Sequence, residues 1–140
     1  MFMFMFNTLF AGRLNRKQYI CRYLATAAIS MMAIIAVVAT SGINWESSAE
    51  TMANVDTVPL YILSIIASLA AFSFDLRRIH DMDLPSQLIL LPIITTIAAY
   101  IPILNEGFVA YALTIMQLLF TVYLCAGKGT PGHNQYGPQP

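Results

Sequence analysis

Charge is what this sequence has least of. Only 10% of its 140 residues are Asp, Glu, Lys or Arg and 58% are hydrophobic, against about 25% charged and about 45–50% apolar in soluble domains. That balance excludes a soluble globular fold, and a mean hydropathy of +0.67 makes a bilayer the natural solvent. A net charge of zero excludes the global basic field that draws nucleic acid. Cys21 and Cys125 are too few for a disulfide scaffold and too far apart for a zinc spacing, which leaves them as small apolar packing residues. No P-loop, G-x-S-x-G or metalloprotease helix motif is present, so neither an enzyme nor a bound cofactor is expected.

What fills the chain instead is long apolar stretches. About 20 residues at 1.5 Å rise cross the hydrocarbon core, and four such segments can be read, at about 22–43, 58–76, 84–104 and 108–126. The expected fold is an all-α membrane protein of four transmembrane helices, a single integral-membrane domain over residues 1–140. Residues 1–21 form a basic and apolar N-terminal segment, and 127–140, with its glycines and prolines, a turn-rich tail that cannot be helical. A signal peptide is set aside, because the first apolar run exceeds the usual 7–15 residues and three more spans follow.

Within the spans, a few residues predict particular packing. Pro59 suits a first helical turn. Ser64, Ala67, Ser68 and Ala71 share one face of the second helix, where small side chains let a neighbouring helix approach. Pro92 predicts a kink in the middle of the third span, with Thr95 and Thr96 near the freed backbone groups, and Gln117 predicts a hydrogen bond to an adjacent helix. Phe2, Phe4 and Phe6 in the opening run and Trp45 after the first span suit the headgroup boundary.

The distribution of the few charges gives an orientation. Four spans place the N-terminal segment, the Phe72–Asp83 stretch and the tail on one side, and the 44–57 segment and the Asn105-Glu106-Gly107 turn on the other. All seven cations (Arg13, Arg16, Lys17, Arg22, Arg77, Arg78 and Lys128) fall on the first side. The positive-inside rule therefore predicts both termini in the cytoplasm of a plasma-membrane protein.

Phe72–Asp83 is the one charged stretch between apolar runs, and it gathers Asp75, Arg77, Arg78, His80, Asp81 and Asp83. If the second helix continues to Asp81, the pairs Asp75/Arg78 and Arg77/Asp81 face one another at i,i+3 and i,i+4.

Three segments then carry a resemblance. Phe10-x-Gly12-Arg13-x-x-Arg16-x-x-Tyr19, Arg77-Arg78-Ile79-His80-Asp81, and Gly129-Thr130-x-Gly132-x-Asn134-x-Tyr136-Gly137-Pro138-x-Pro140 resemble, in order and place, the signatures of a family of small bacterial inner-membrane proteins, the domain of unknown function 805 family. The family's usual Ser-Gly-Trp-Trp type continuation after the second signature is replaced here by Leu84-Pro85-Ser86-Gln87. The resemblance implies a four-helix protein of the inner membrane and brings no activity, substrate or cofactor.

The candidate binding residues are Arg13, Arg16, Arg77, Arg78, His80, Asp81 and Asp75; no catalytic or metal-binding set is expected. Three uses compete for them. One is an ion-paired cap that fixes the end of the second helix and docks the N-terminal segment or the tail, with the groups partly buried, since exposed pairs contribute only about 0–1 kcal/mol. Another is a binding or scaffold surface for anionic lipid, at about 1 kcal/mol per near-surface cation, or for a membrane-protein partner or second copy of the chain. A third is a small transporter or proton- or cation-linked channel using His80 with Asp75 or Asp81.

Overall fold

The computed structural model describes residues 10–40, 58–104 and 107–140. The expectations for the opening Met-Phe run, for Trp45 and its loop, and for the Asn105-Glu106 turn lie outside the described residues. Four α-helices are present: α1 Arg16–Thr40, α2 Val58–Asp81, α3 Leu90–Ala99 and α4 Gly107–Ala126. Among the described residues the sole β feature is an isolated bridge between Asn134 and Gly137. α1, α2 and α4 are each long and apolar enough to cross a membrane; the fourth apolar segment, Ser86–Ala99, is shorter.

Burial in this bundle is distributed inside-out. The buried apolar cluster of Leu14, Tyr19, Ile79, Phe120 and Leu124 lies at the end where α1 begins and α2 and α4 finish. Along the helices Met31, Ile66 and Leu119 are about 60% exposed. Water would not tolerate such a continuous apolar surface, whereas lipid supplies its missing contacts.

The boundaries differ from the sequence expectation in three places, each for a local reason. α1 starts at Arg16, six residues early, because Asn15 acts as its N-cap: Asn15 Oδ1 accepts the Gln18 N–H at 2.9 Å. The expected basic segment is therefore partly the first turn of the helix. α2 runs past 76 to Asp81, where two bonds close it: Asp83 N–H to His80 O at 3.2 Å and Leu84 N–H to Ile79 O at 3.1 Å. That is a Schellman closure with Asp83 at φ +57 in the position glycine usually takes, and Leu84 packs against the buried cluster that includes Ile79.

The third difference is the third span. Instead of one kinked helix over 84–104, the chain makes a 3₁₀ turn (Ser86–Ile89), α3, and a second 3₁₀ turn (Pro102–Leu104). Pro92 stands in the first turn of α3 and not at mid-helix, where its missing N–H leaves no carbonyl orphaned by a kink. α3 ends at Ala99 with Tyr100 as its C-cap, whose N–H bonds Ile97 O at 3.0 Å.

Other expectations hold. Pro59 is in the first turn of α2. Ala67, Ser68 and Ala71 face inward beside Ala27 and Ser30 of α1, so the small-residue face serves within the bundle. Thr95 Oγ1 donates to Gln117 Oε1 at 2.7 Å, joining α3 to α4.

Candidate functional site

The charged stretch finishes α2, and both chain ends fold onto it. Asp81 is its centre. One carboxylate oxygen, Oδ1, accepts from Arg13 Nε at 3.1 Å and lies 3.0 Å from Arg13 Nη2; Oδ2 pairs with Arg78 Nη1. All three side chains are nearly inaccessible, with Asp81 at 3% and Arg78 at 0% exposure. The i,i+3 partner Arg78 thus takes the place expected for Arg77, and the two ion pairs among the described residues both fall on Asp81. Neither of the expected pairs, Asp75/Arg78 and Arg77/Asp81, forms: Arg78 reaches Asp81 and the carbonyls at the end of α4, and Asp75 bonds Tyr19 instead.

Two guanidinium groups around one carboxylate leave an excess positive charge, and backbone carbonyls take it up. Arg78 donates from Nε to Leu124 O at 3.0 Å, from Nη2 to Gly127 O at 2.6 Å and from Nη1 to Leu14 O at 3.2 Å. It therefore caps the C-terminal end of α4, while the pair as a whole sits at the end of α2. Each helix end carries about half a negative charge, so two ends match the surplus. Arg13 addresses the tail: Nη1 donates to Gly132 O at 2.6 Å and Nη2 to Thr130 O at 2.5 Å.

The tail returns the contacts. Thr130 N–H bonds Asp81 O at 2.8 Å, and Asn134 Nδ2 bonds His80 O at 2.8 Å. A tight turn follows in which Asn134 and Gly137 exchange both backbone bonds at 3.1 Å. This turn presents Tyr136, whose ring stacks on His80 with centroids 3.9 Å apart and whose hydroxyl donates to Leu84 O at 3.1 Å. His80 itself is held at both nitrogens, Nδ1 3.2 Å from Gly12 O and Nε2 3.0 Å from Ser86 Oγ. Gly12 O can only accept, so Nδ1 carries the proton. Gly12 stands at φ +85, a conformation that L side chains rarely adopt.

The three separated segments thus make one structure. A family model, Protein of unknown function (DUF805), matches residues 7–138. The chain belongs to the DUF805 family. No curated protein and no solved structure matches. The parts that resembled the DUF805 signatures are the parts that meet around Asp81: Gly12 and Arg13 from the first, Arg78, His80 and Asp81 from the second, and Thr130, Gly132, Asn134, Tyr136 and Gly137 from the third.

Of the candidate residues, Arg13, Arg78, His80 and Asp81 come together here. Arg16 is exposed on the first turn of α1. Arg77 is half-buried, with Arg22 near enough to act on it by charge repulsion. Asp75 lies one turn before Arg78 and belongs to a different environment, where the Tyr19 hydroxyl donates to its Oδ1 at 2.8 Å. Tyr19, Ser86, Thr130 and Tyr136 were absent from the candidate set. Tyr19, Thr130 and Tyr136 stood in the quoted signatures, which was the available signal; Ser86 stood in the divergent Leu84–Gln87 segment and had none.

The Tyr136 contacts can be separated by substitution. Tyr136→Phe keeps the stack on His80 and loses the hydrogen bond to Leu84 O, and a loss of about 0.5–1.5 kcal/mol is expected in denaturant unfolding. Tyr136→Ala loses both and should cost about 3–5 kcal/mol where the tail cannot collapse onto His80.

Proposed function

We propose that this DUF805 protein is a non-enzymatic binding protein of the bacterial inner membrane, with both termini cytoplasmic, that holds anionic lipid headgroups at the charged end of its bundle. The observation that carries the reading is Arg77. Its Nε is a buried donor with no hydrogen-bond partner among the described residues, and a second guanidinium, Arg22, is near enough to act on it by charge repulsion. Two cations that repel each other and one unsatisfied donor are stabilised together by a phosphate oxygen, which accepts charge-assisted bonds from both. Arg16, Lys17 and Lys128 are exposed and extend the positive rim.

The lipid role proposed from the sequence thereby moves. Arg13 and Arg78 are spent inside the ion-paired knot, so the headgroup contact rests on Arg22 and Arg77 with Arg16 beside them. The knot supports this surface by fixing the end of α2, the ion-paired cap foreseen for the stretch. For the transporter alternative, His80 and Asp81 are both engaged in the knot, and Asp75 alone remains facing the bundle interior.

Arg22→Ala/Arg77→Ala should co-purify with at least severalfold less anionic phospholipid than wild type, read by lipid mass spectrometry on polymer-extracted protein. Unchanged zwitterionic lipid and an unchanged melting temperature would show that the loss is specific. An unaltered anionic fraction in the folded variant would refute the reading. Reporter fusions at residues 80 and 140 test the orientation, and a reporter at 140 active outside the cytoplasm would overturn it.

A further inference from the structure

Asp75 is a carboxylate inside an apolar bundle and is 1% exposed. Its recorded hydrogen bond is with a neutral donor, Tyr19, and the described ion pairs are both on Asp81. An isolated buried carboxylate is costly, so a group of this kind either neutralises or holds a cation. The space in front of it decides between these.

Asp75 lines a cavity of about 330 Å³ to which all four helices contribute. Besides Asp75 the lining of the cavity includes hydroxyl and amide side chains and no second charge: Thr26 and Ser30 from α1, Ser68 from α2, Thr96 from α3 and Gln117 from α4. Purely structural burial of Asp75 needs no such polar lining, since Val or Ala would pack there. Two further cavities share lining residues with it. One of about 510 Å³ shares Tyr23, Thr96 and Gln117, and one of about 630 Å³ shares Ser30 and Ser68 and reaches Tyr61 and Tyr100 toward the opposite end of the bundle.

We propose that Asp75 and the hydroxyl and amide groups facing this cavity form a binding site for one small monovalent cation. The charge sets the valence. One carboxylate with neutral oxygens neutralises a single positive charge, and a divalent ion would remain undercompensated in the bundle. Hard oxygen donors suit an alkali ion or a primary ammonium and not a soft transition metal. Among the described residues no group of three His, Cys, Asp or Glu side chains is available for such a metal. At about 30 Å³ per water the cavity holds several waters, which fits an alkali ion with part of its hydration shell or a small organic ammonium. The site is independent of the lipid surface at Arg22 and Arg77.

The test uses the full chain in nanodiscs of zwitterionic lipid, at constant ionic strength balanced with N-methyl-D-glucamine, a large polyhydroxylated cation that differs in size and hydration from both an alkali ion and a small ammonium. Radiolabelled sodium, rubidium and methylammonium are the probes, read by scintillation proximity. At least one should bind saturably with one site per chain, and which one binds separates an alkali ion from an ammonium ligand. Binding should fall at least tenfold in Asp75→Asn and persist in Asp83→Asn, which removes an exposed acid outside the cavity. Absence of saturable binding by all three probes to the folded wild type would overturn the proposal, as would full binding by Asp75→Asn. If Asp75→Asn does not fold, Thr26→Val/Ser68→Ala decides: weakened binding supports the site and unchanged affinity overturns it.

Discussion

Asp81→Asn is expected to destabilise the protein by about 3–5 kcal/mol, the cost of leaving a buried charge without its partner. Two guanidinium groups depend on this carboxylate, and both are out of reach of water: Arg78 at 0% and Arg13 at 5% exposure. Asn keeps the volume and one acceptor oxygen, so the loss reports charge more than packing. Denaturant unfolding in detergent, with the folded fraction followed by circular dichroism, measures it. Limited proteolysis should show the accompanying release of residues 128–140, because Arg13 holds Thr130 and Gly132 only while Asp81 orients its guanidinium. A loss below about 1 kcal/mol would mean the pairs behave like exposed ones. Arg77→Ala supplies the contrast, since Arg77 makes neither ion pair, and it should cost less than about 1 kcal/mol.

Gly129→Ala is the second large effect expected. A methyl group built on Gly129 would stand 2.1 Å from Asp81 Oδ2 and 2.8 Å from Asp81 Cγ. The neighbour here is held by two arginines and cannot swing aside, so the tail backbone must move and the Thr130 N–H to Asp81 O bond at 2.8 Å is stretched or lost. Overpacking of this kind costs about 1–3 kcal/mol, and the same proteolysis assay reads it as early cleavage after Ala126. Gly132→Ala is a useful comparison: no atom lies within 4 Å of its added methyl, and its φ of +73 makes the penalty one of backbone strain alone. If Gly129→Ala protects the tail as well as wild type does, close approach to Asp81 is not what this glycine provides.

The same residues explain how far the site could be read without coordinates. The convergence of charge near Asp81 was visible, because ionisable groups in a chain this apolar stand out and their placement is costly. Which arginine pairs with Asp81 was not visible. Spacing allows both i,i+3 and i,i+4 partners, and the choice of Arg78 follows from Leu124 O and Gly127 O at the end of α4, contacts nearly fifty residues away along the chain. Asp75 was grouped with the cluster by its position in the stretch, yet the turn of the helix points it at Tyr19 and the interior cavity.

Helix ends were misplaced where the stop or start was unusual. Asn15 is an ordinary cap hidden within a basic segment, and Asp83 closes α2 from a left-handed conformation that a glycine would have announced. At Pro92 the apolar run was continuous, and hydropathy carries no information about whether the backbone is α or 3₁₀.

Composition by itself determined that this chain needs lipid, since 58% hydrophobic residues leave no soluble way to bury them. The four apolar segments and the inward use of Gln117 were equally legible, because length and polarity act locally. Tertiary structure alone decided that the basic N-terminal segment, the end of α2 and the tail form a single closed knot, and that Asp75 stands apart from it on a cavity within the bundle. The reason is physical: local pattern sets what each helix tolerates on its faces, whereas the partner of a buried charge is chosen by whichever distant carbonyl or hydroxyl the fold brings within 3 Å.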